Sequence, residues 1–165
     1  MNGWSQRSRE EARLFNPSFL SLVIWLVADG FREVTDDGMP FQLTFVAVPV
    51  VLHKQTRESL PRSTRTSLAT WIEDNASFRV GFADRARALA PLVREGLLFG
   101  STHGFLAVSS DASVEPSPRP RTLTRYLHNS TDEVRDCAKK AEFVGKWLAG
   151  IGAAATVMTL WGVKP

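Results

Sequence analysis

This sequence predicts a mainly α, α+β fold: a helical domain with a short β-hairpin. Three observations carry that prediction. Apolar residues recur at helical spacing over 17–29, 77–99 and 131–149, and good capping residues stand at or near the starts of these stretches. Apart from the ambiguous segment 41–52, strand-like runs flanking turn residues occur only in a short region around 105–116. The middle of the chain therefore runs helix, short turn, helix, hairpin, the order of a winged-helix-like helix-turn-helix. With 165 residues the chain fits one domain able to bury a sizeable core. We divide it into a lead-in (1–14), a helical part with a basic helix pair (15–99), a hairpin or wing with a linker (100–120) and C-terminal helices (121–165).

The lead-in is polar, with Arg7, Arg9, Glu10, Glu11 and Arg13. Asn16 is a favoured N-cap, Pro17 suits the first helical position, Phe15 can staple onto Leu20, and Gly30 supplies a C-terminal stop. Between them Phe19, Leu20 and the run from Leu22 to Val27 leave almost no polar face, so this helix should be buried nearly all round. Thr35 to Gly38 is a turn. The segment 41–52 reads two ways: Phe41, Leu43, Phe45 and Ala47 alternate as in a strand, while the Pro40 start and continuous apolar character suit a core helix. Pro49 argues against a central strand and tilts the reading towards a kinked helix.

From Ser63, Leu68, Trp71 and Ile72 share one helical face, and Asp74-Asn75 ends the helix. A second helix is expected from about Ser77 to Phe99, with Phe82, Ala86, Leu89, Ala90, Val93 and Leu97 as its buried stripe, Arg87 and Arg94 on another face, and a bend at Pro91. Gly100 to Gly104 turns the chain into a hairpin around Ser109-Ser110-Asp111, closed by the extended linker Ser117 to Pro120. A cap at Ser130 or Thr131 opens a helix through Val134, Cys137, Ala141, Val144 and Leu148. The run Phe143–Val163 is long enough to cross a bilayer, but Lys146 and the glycines at 145, 150, 152 and 162 mark it as two buried helices with a break between them.

The stretch from His53 to Glu95 carries eight Lys or Arg against five acids, a balance of +3, whereas the residues before it sum to −2 (four cations, six acids) and those after it to +2 (eight against six). Its cations, Lys54, Arg57, Arg62, Arg65, Arg79, Arg85, Arg87 and Arg94, are the candidate contacts for an acidic partner protein or DNA. Charged helix faces are often merely solvated; the helix-turn-helix-hairpin order is what raises these above that reading, and the length and proline bend of the 77–99 helix, unsuited to a major-groove reader, favour protein over bases. Catalytic and metal signatures are missing: there is no GxxxxGK[ST] loop, no HExxH and no zinc spacing around His53, His103 or His128. Cys137 lies on an apolar stripe and reads as a buried, inert thiol. No cofactor or metal is expected. A single cysteine and no recognisable secretory leader make a reducing cytoplasm the expectation. Five Trp and ten Phe are a heavy aromatic load, part of which could cover a partner.

Five segments together resemble a known family: FNPSFLSLVI at 15–24, PFQLTFVAVPVVLHKQTRESLP at 40–61, TRTSLATWIEDN at 64–75, RVGFADRARALAPLVREGLLFG at 79–100 and KWLAGIGAAATVMTLWGVKP at 146–165. They are similar to the middle components of bacterial three-component ABC-ATPase (ABC-3C) systems, of which Lamassu-like anti-phage and anti-plasmid immunity is an example. None is a catalytic signature; the specificity comes from their number and order. The resemblance implies a non-catalytic adaptor that couples an SMC/Rad50-like ABC ATPase, sensing DNA, to an effector such as a nuclease. The loop DASVEPSPRPRT at 111–122 has no family pattern. Such a chain, with its tryptophans and all-apolar helix, is expected to be poorly soluble or to self-associate alone and to be rescued by co-expression with its ATPase. The alternative from another class is a stand-alone winged-helix DNA binder or transcription regulator; a small hydrolase using Cys137 or a histidine is the third reading.

Overall fold

The structure, a computed structural model, describes residues 16–164. The polar lead-in, Trp4 and the Phe15 staple lie outside them. Helix α1 (Pro17–Thr35) is the central element. The Asn16 side chain accepts a hydrogen bond from the Ser18 amide at 2.9 Å, and Pro17 occupies the first turn. The helix does not stop at Gly30. It runs on to Thr35 and is closed by Asp36 in the left-handed region, φ 60°. Gly30 serves packing instead: a Cβ there would lie 2.4 Å from the carbonyl oxygen of Glu142.

That carbonyl belongs to α7 (Asp132–Ala149), the main partner of α1. Gly145 completes the seam, since a Cβ on it would lie 2.0 Å from the Val27 carbonyl oxygen. The two helices thus approach backbone to backbone, closer than any side chain would allow. Around this pair pack α2 (Thr44–Leu52) and α5 (Phe82–Thr102). The segment 41–52 is helical, a 3₁₀ turn at Phe41–Leu43 leading into α2, which keeps Pro49 inside it. Its apparent alternation carries no strand, because Val46 to Val51 are buried on all sides.

Short α3 (Lys54–Ser59) follows directly. The next helix begins later than Ser63: residues 63–66 form a turn, and α4 (Leu68–Asp74) starts after Ser67, whose side chain accepts from the Thr70 amide at 3.1 Å. A 3₁₀ turn at Ala76–Phe78 and Gly81 (φ 69°) precede α5, so the long helix starts at Phe82 and not Ser77, and it continues past Gly100 to Thr102. The expected hairpin is present as β2 (Leu106–Val108) and β3 (Ser113–Pro116), paired antiparallel with Val108 opposite Val114. A third strand, β1 (Met39–Pro40), pairs with the free edge of β3, giving the order β1-β3-β2. The linker after β3 is clamped. Trp25 Nε1 donates to the Ser117 carbonyl at 3.2 Å, and Arg119 pairs with Asp29 at 3.3 Å and with Glu142. Helix α6 (Leu123–His128) then leads to α7, whose Thr131 cap accepts from the Val134 amide.

After α7 the chain turns by 114° into α8 (Ala154–Trp161); among the described residues no single helix is long and apolar enough to cross a membrane. The turn brings Trp161 onto an aromatic cluster. Trp161 stacks on Phe82 at 4.1 Å and meets Trp71 at 5.8 Å, while Trp71 meets Trp147 edge-on at 5.6 Å. Trp147 Nε1 donates to the Thr66 carbonyl at 2.7 Å and Trp71 Nε1 to that of Ser59 at 3.0 Å, fixing the 59–67 loop. Trp25, Trp71, Trp147 and Trp161 are all buried in the protein's own core, as is the apolar face of α1. These four tryptophans therefore fill the protein's own core, whereas Phe41, Phe45 and Phe105 keep part of their surface open to solvent.

Candidate partner interface

The eight cations singled out in the sequence do not form one face. Arg57 is a correction: it is fully buried, and aliphatic surroundings and acids consume it. Its Nε donates to Asp136 at 2.6 Å, Nη2 to Glu133 at 2.5 Å and Nη1 to the Val51 carbonyl at 2.8 Å. Burial opposes its charge, but the Asp136 and Glu133 hydrogen bonds outweigh burial and hold its pKa above the usual arginine value. It staples α3 to α7 and cannot reach a partner. Arg85 is half-buried and turns away from its neighbours on α5. Lys54, Arg62 and Arg65 are exposed, Lys54 lying 3.8 Å from Glu58 one turn on.

Arg79, Arg87 and Arg94 do converge. Arg87 and Arg94 are seven residues apart on α5, hence near one line along the helix, and both border a groove of about 530 Å³. Phe41 and Phe45 form one wall, Ala83, Ala86 and Ala90 the floor on α5, and Met158, Gly162, Val163 and Lys164 the far side. The Arg79 guanidinium flanks Gly162, with Nε 3.6 Å from where a Cβ would stand. Four cations thus rim an apolar floor.

Arg87 and Arg94 are held loosely enough to be redeployed. Arg87 pairs with Asp84 at 2.7 Å, but both side chains are about four-fifths exposed, and such surface pairs contribute little. Arg94 lies over the Phe45 ring at 5.8 Å, and Phe45 meets Phe41 edge-on at 5.3 Å, so the aromatic wall is pre-ordered under the cation. Gly162 is in the left-handed region (φ 70°), and its turn lets the chain carry Lys164 back along the groove. Sequence reasoning found Arg79, Arg87 and Arg94 but missed Phe41, Phe45 and Lys164. A signal existed for the two phenylalanines, one helical turn apart once 41–52 is taken as helix.

An apolar floor ringed by Arg and aromatic side chains is the composition of a protein-binding patch, where a partner's apolar side chain fills the groove and its carboxylates meet the rim. Phosphate contacts are made by cations, hydroxyls, amides and backbone N–H groups, none of which requires an apolar floor. Among the described residues no three His, Cys, Asp or Glu side chains come together as a metal site. Cys137 is buried, and burial pushes its thiol up to about 11, leaving it protonated and unreactive near neutrality.

Comparison with known proteins adds one match. A family described as "ABC-three component (ABC-3C) system Middle Component 3" matches residues 4–165. No curated protein and no solved structure is detectably similar.

Proposed function

The chain belongs to the middle component 3 family of ABC-3C systems, and we propose that it is a non-catalytic adaptor, acting in the cytoplasm, that couples a DNA-sensing SMC/Rad50-like ABC ATPase to an effector such as a nuclease in Lamassu-like defence against phage or plasmids. Family membership supports the place in a three-component assembly. The observation that carries the adaptor reading is the groove itself: Arg79, Arg87, Arg94 and Lys164 around an apolar floor. An acidic segment of the ATPase bearing an apolar or aromatic anchor is the partner this surface fits.

Substituting Arg87→Glu and Arg94→Glu together reverses the rim at its centre without touching the core. Co-purification with the ATPase should fall at least about tenfold, an order set by central interface arginines, while thermal stability of the subunit stays unchanged. Undiminished ATPase capture by the double variant would remove the groove from the interface. The order α4, α5, β2, β3 favours one second reading, a winged-helix protein that binds DNA unaided. DNA retention measured in parallel separates the two, since a direct binder making several phosphate contacts loses orders of magnitude of affinity between low and physiological salt.

A further inference from the structure

On the flank of α5 roughly opposite the groove lies a second cavity, also about 530 Å³, and its chemistry is different. Four elements enclose it: Phe19 from α1, Leu52 and His53 at the end of α2, Arg85, Ala88 and Leu89 from α5, and Thr131, Glu133, Val134 and Cys137 at the start of α7. The lining is predominantly apolar, yet Arg85 Nε and Nη2 are shielded from solvent and have no hydrogen-bond partner. The one described contact of its guanidinium is the face of Phe82 at 5.4 Å, which supplies no acceptor. Burial lowers the Arg85 pKa and no acid offsets it, although an arginine stays charged in any case. The nearest acid of the lining, Glu133, is already engaged by Arg57 at 2.5 Å. Two shielded guanidinium N–H groups without acceptors are costly unless something supplies the missing oxygens.

His53 adds a second donor. Its Nδ1 accepts from the Thr56 amide at 3.3 Å, which places the proton of the neutral ring on Nε2. Burial, with the nearby charges of Arg85 and Arg57, lowers its pKa and keeps that ring neutral near pH 7.

We propose that this cavity binds a small monocarboxylate with an apolar body, its carboxylate on Arg85 and His53 Nε2 and its hydrocarbon against Phe19, Leu52, Leu89 and Val134. One carboxylate matches one unpaired guanidinium, and the volume lies within the range of small-ligand sites. A free acid fits better than a peptide terminus. Besides Arg85, His53, Thr131 and Glu133 the lining side chains are apolar or a buried thiol, so a peptide's own amides would enter with few partners. The site is independent of the groove and of the adaptor reading.

Titration calorimetry on the full-length protein tests this with sodium octanoate as the probe and octanamide as its uncharged control. Octanoate should bind at least about tenfold more tightly than octanamide, as a charge-assisted pair requires, and Arg85→Met should abolish the preference. Ala88→Trp fills the exposed mouth of the cavity without entering the core and should block both probes in a protein that melts as the parent does. Equal affinity for the two probes, octanoate binding unchanged in either variant, or binding only of a peptide ending in a free leucine carboxylate would each overturn the proposal.

Discussion

Arg57→Ala should destabilise the protein far more than truncation of any other of the eight cations in the basic stretch. The side chain is 1% exposed and makes three hydrogen bonds, two of them to carboxylates. Removing one member of a buried charge pair costs roughly 3–5 kcal/mol. Here the acids are on the rim, Glu133 48% and Asp136 40% exposed, so both can take up water after the loss. Their share is discounted accordingly. What cannot be recovered is the space left by the guanidinium and the unpaired Val51 carbonyl, the latter about 1–3 kcal/mol. We expect a net loss of about 2–4 kcal/mol, a large fraction of the ~5–15 kcal/mol typical of a domain, and at about 2–4 °C per kcal/mol a fall in Tm of about 5–15 °C. Urea and thermal unfolding followed by circular dichroism measure it, with exposed Arg62→Ala as a control expected within about 0.5 kcal/mol. Arg57→Met combined with Glu133→Gln and Asp136→Asn should recover part of the loss, because no charge is then stranded. If Arg57→Ala proves as mild as Arg62→Ala yet abolishes ATPase capture, the staple is refuted and Arg57 returns to the surface set.

Three further outcomes follow from the packing and titration. Gly145→Ala would press a methyl to 2.0 Å from the Val27 carbonyl oxygen and should leave little folded protein in a solubility and melting assay, whereas Gly81→Ala, with open space around it but φ 69°, should cost only about 1 kcal/mol. His53 has a folded pKa below its ordinary 6.5, so the unfolded chain binds more protons as pH falls through 6.5; stability should drop from pH 7.5 to 5.5, and His53→Gln should flatten that part of the urea-midpoint profile. Cys137, raised to about 11, should resist iodoacetamide at pH 8 in the native protein and react at once in urea, as mass spectrometry would show.

The elements that were legible in the sequence are those whose signals are local. Asn16-Pro17 marks the start of α1, Thr131 the start of α7, and the turn residues between FLAV and ASVEP the hairpin, because caps and tight turns are settled by a few adjacent residues. Gly30 misled because a glycine that ends a helix and one that lets a second helix approach look alike until the neighbour is known. Likewise nothing in KQTRES distinguishes Arg57 from a solvated arginine; its acids lie 76 and 79 residues away. The candidate site was half visible. Seven-residue spacing paired Arg87 with Arg94, but only the fold-back of α8 adds Lys164, and only the packing of α5 sends Arg85 to the opposite flank. Strand β1 and helices α3 and α6 are too short to leave a periodicity.

The meeting of α1 with α7 has a mechanical corollary. Helices that touch through side chains can ratchet by a turn, exchanging one set of knobs for another. Here a one-turn slip would bring Ala141 or Ala149 to the position of Gly145, and either methyl would strike the Val27 carbonyl. The bar formed by these two helices has a single permitted phase, so a displacement that reaches one of them is passed on by the pair moving together.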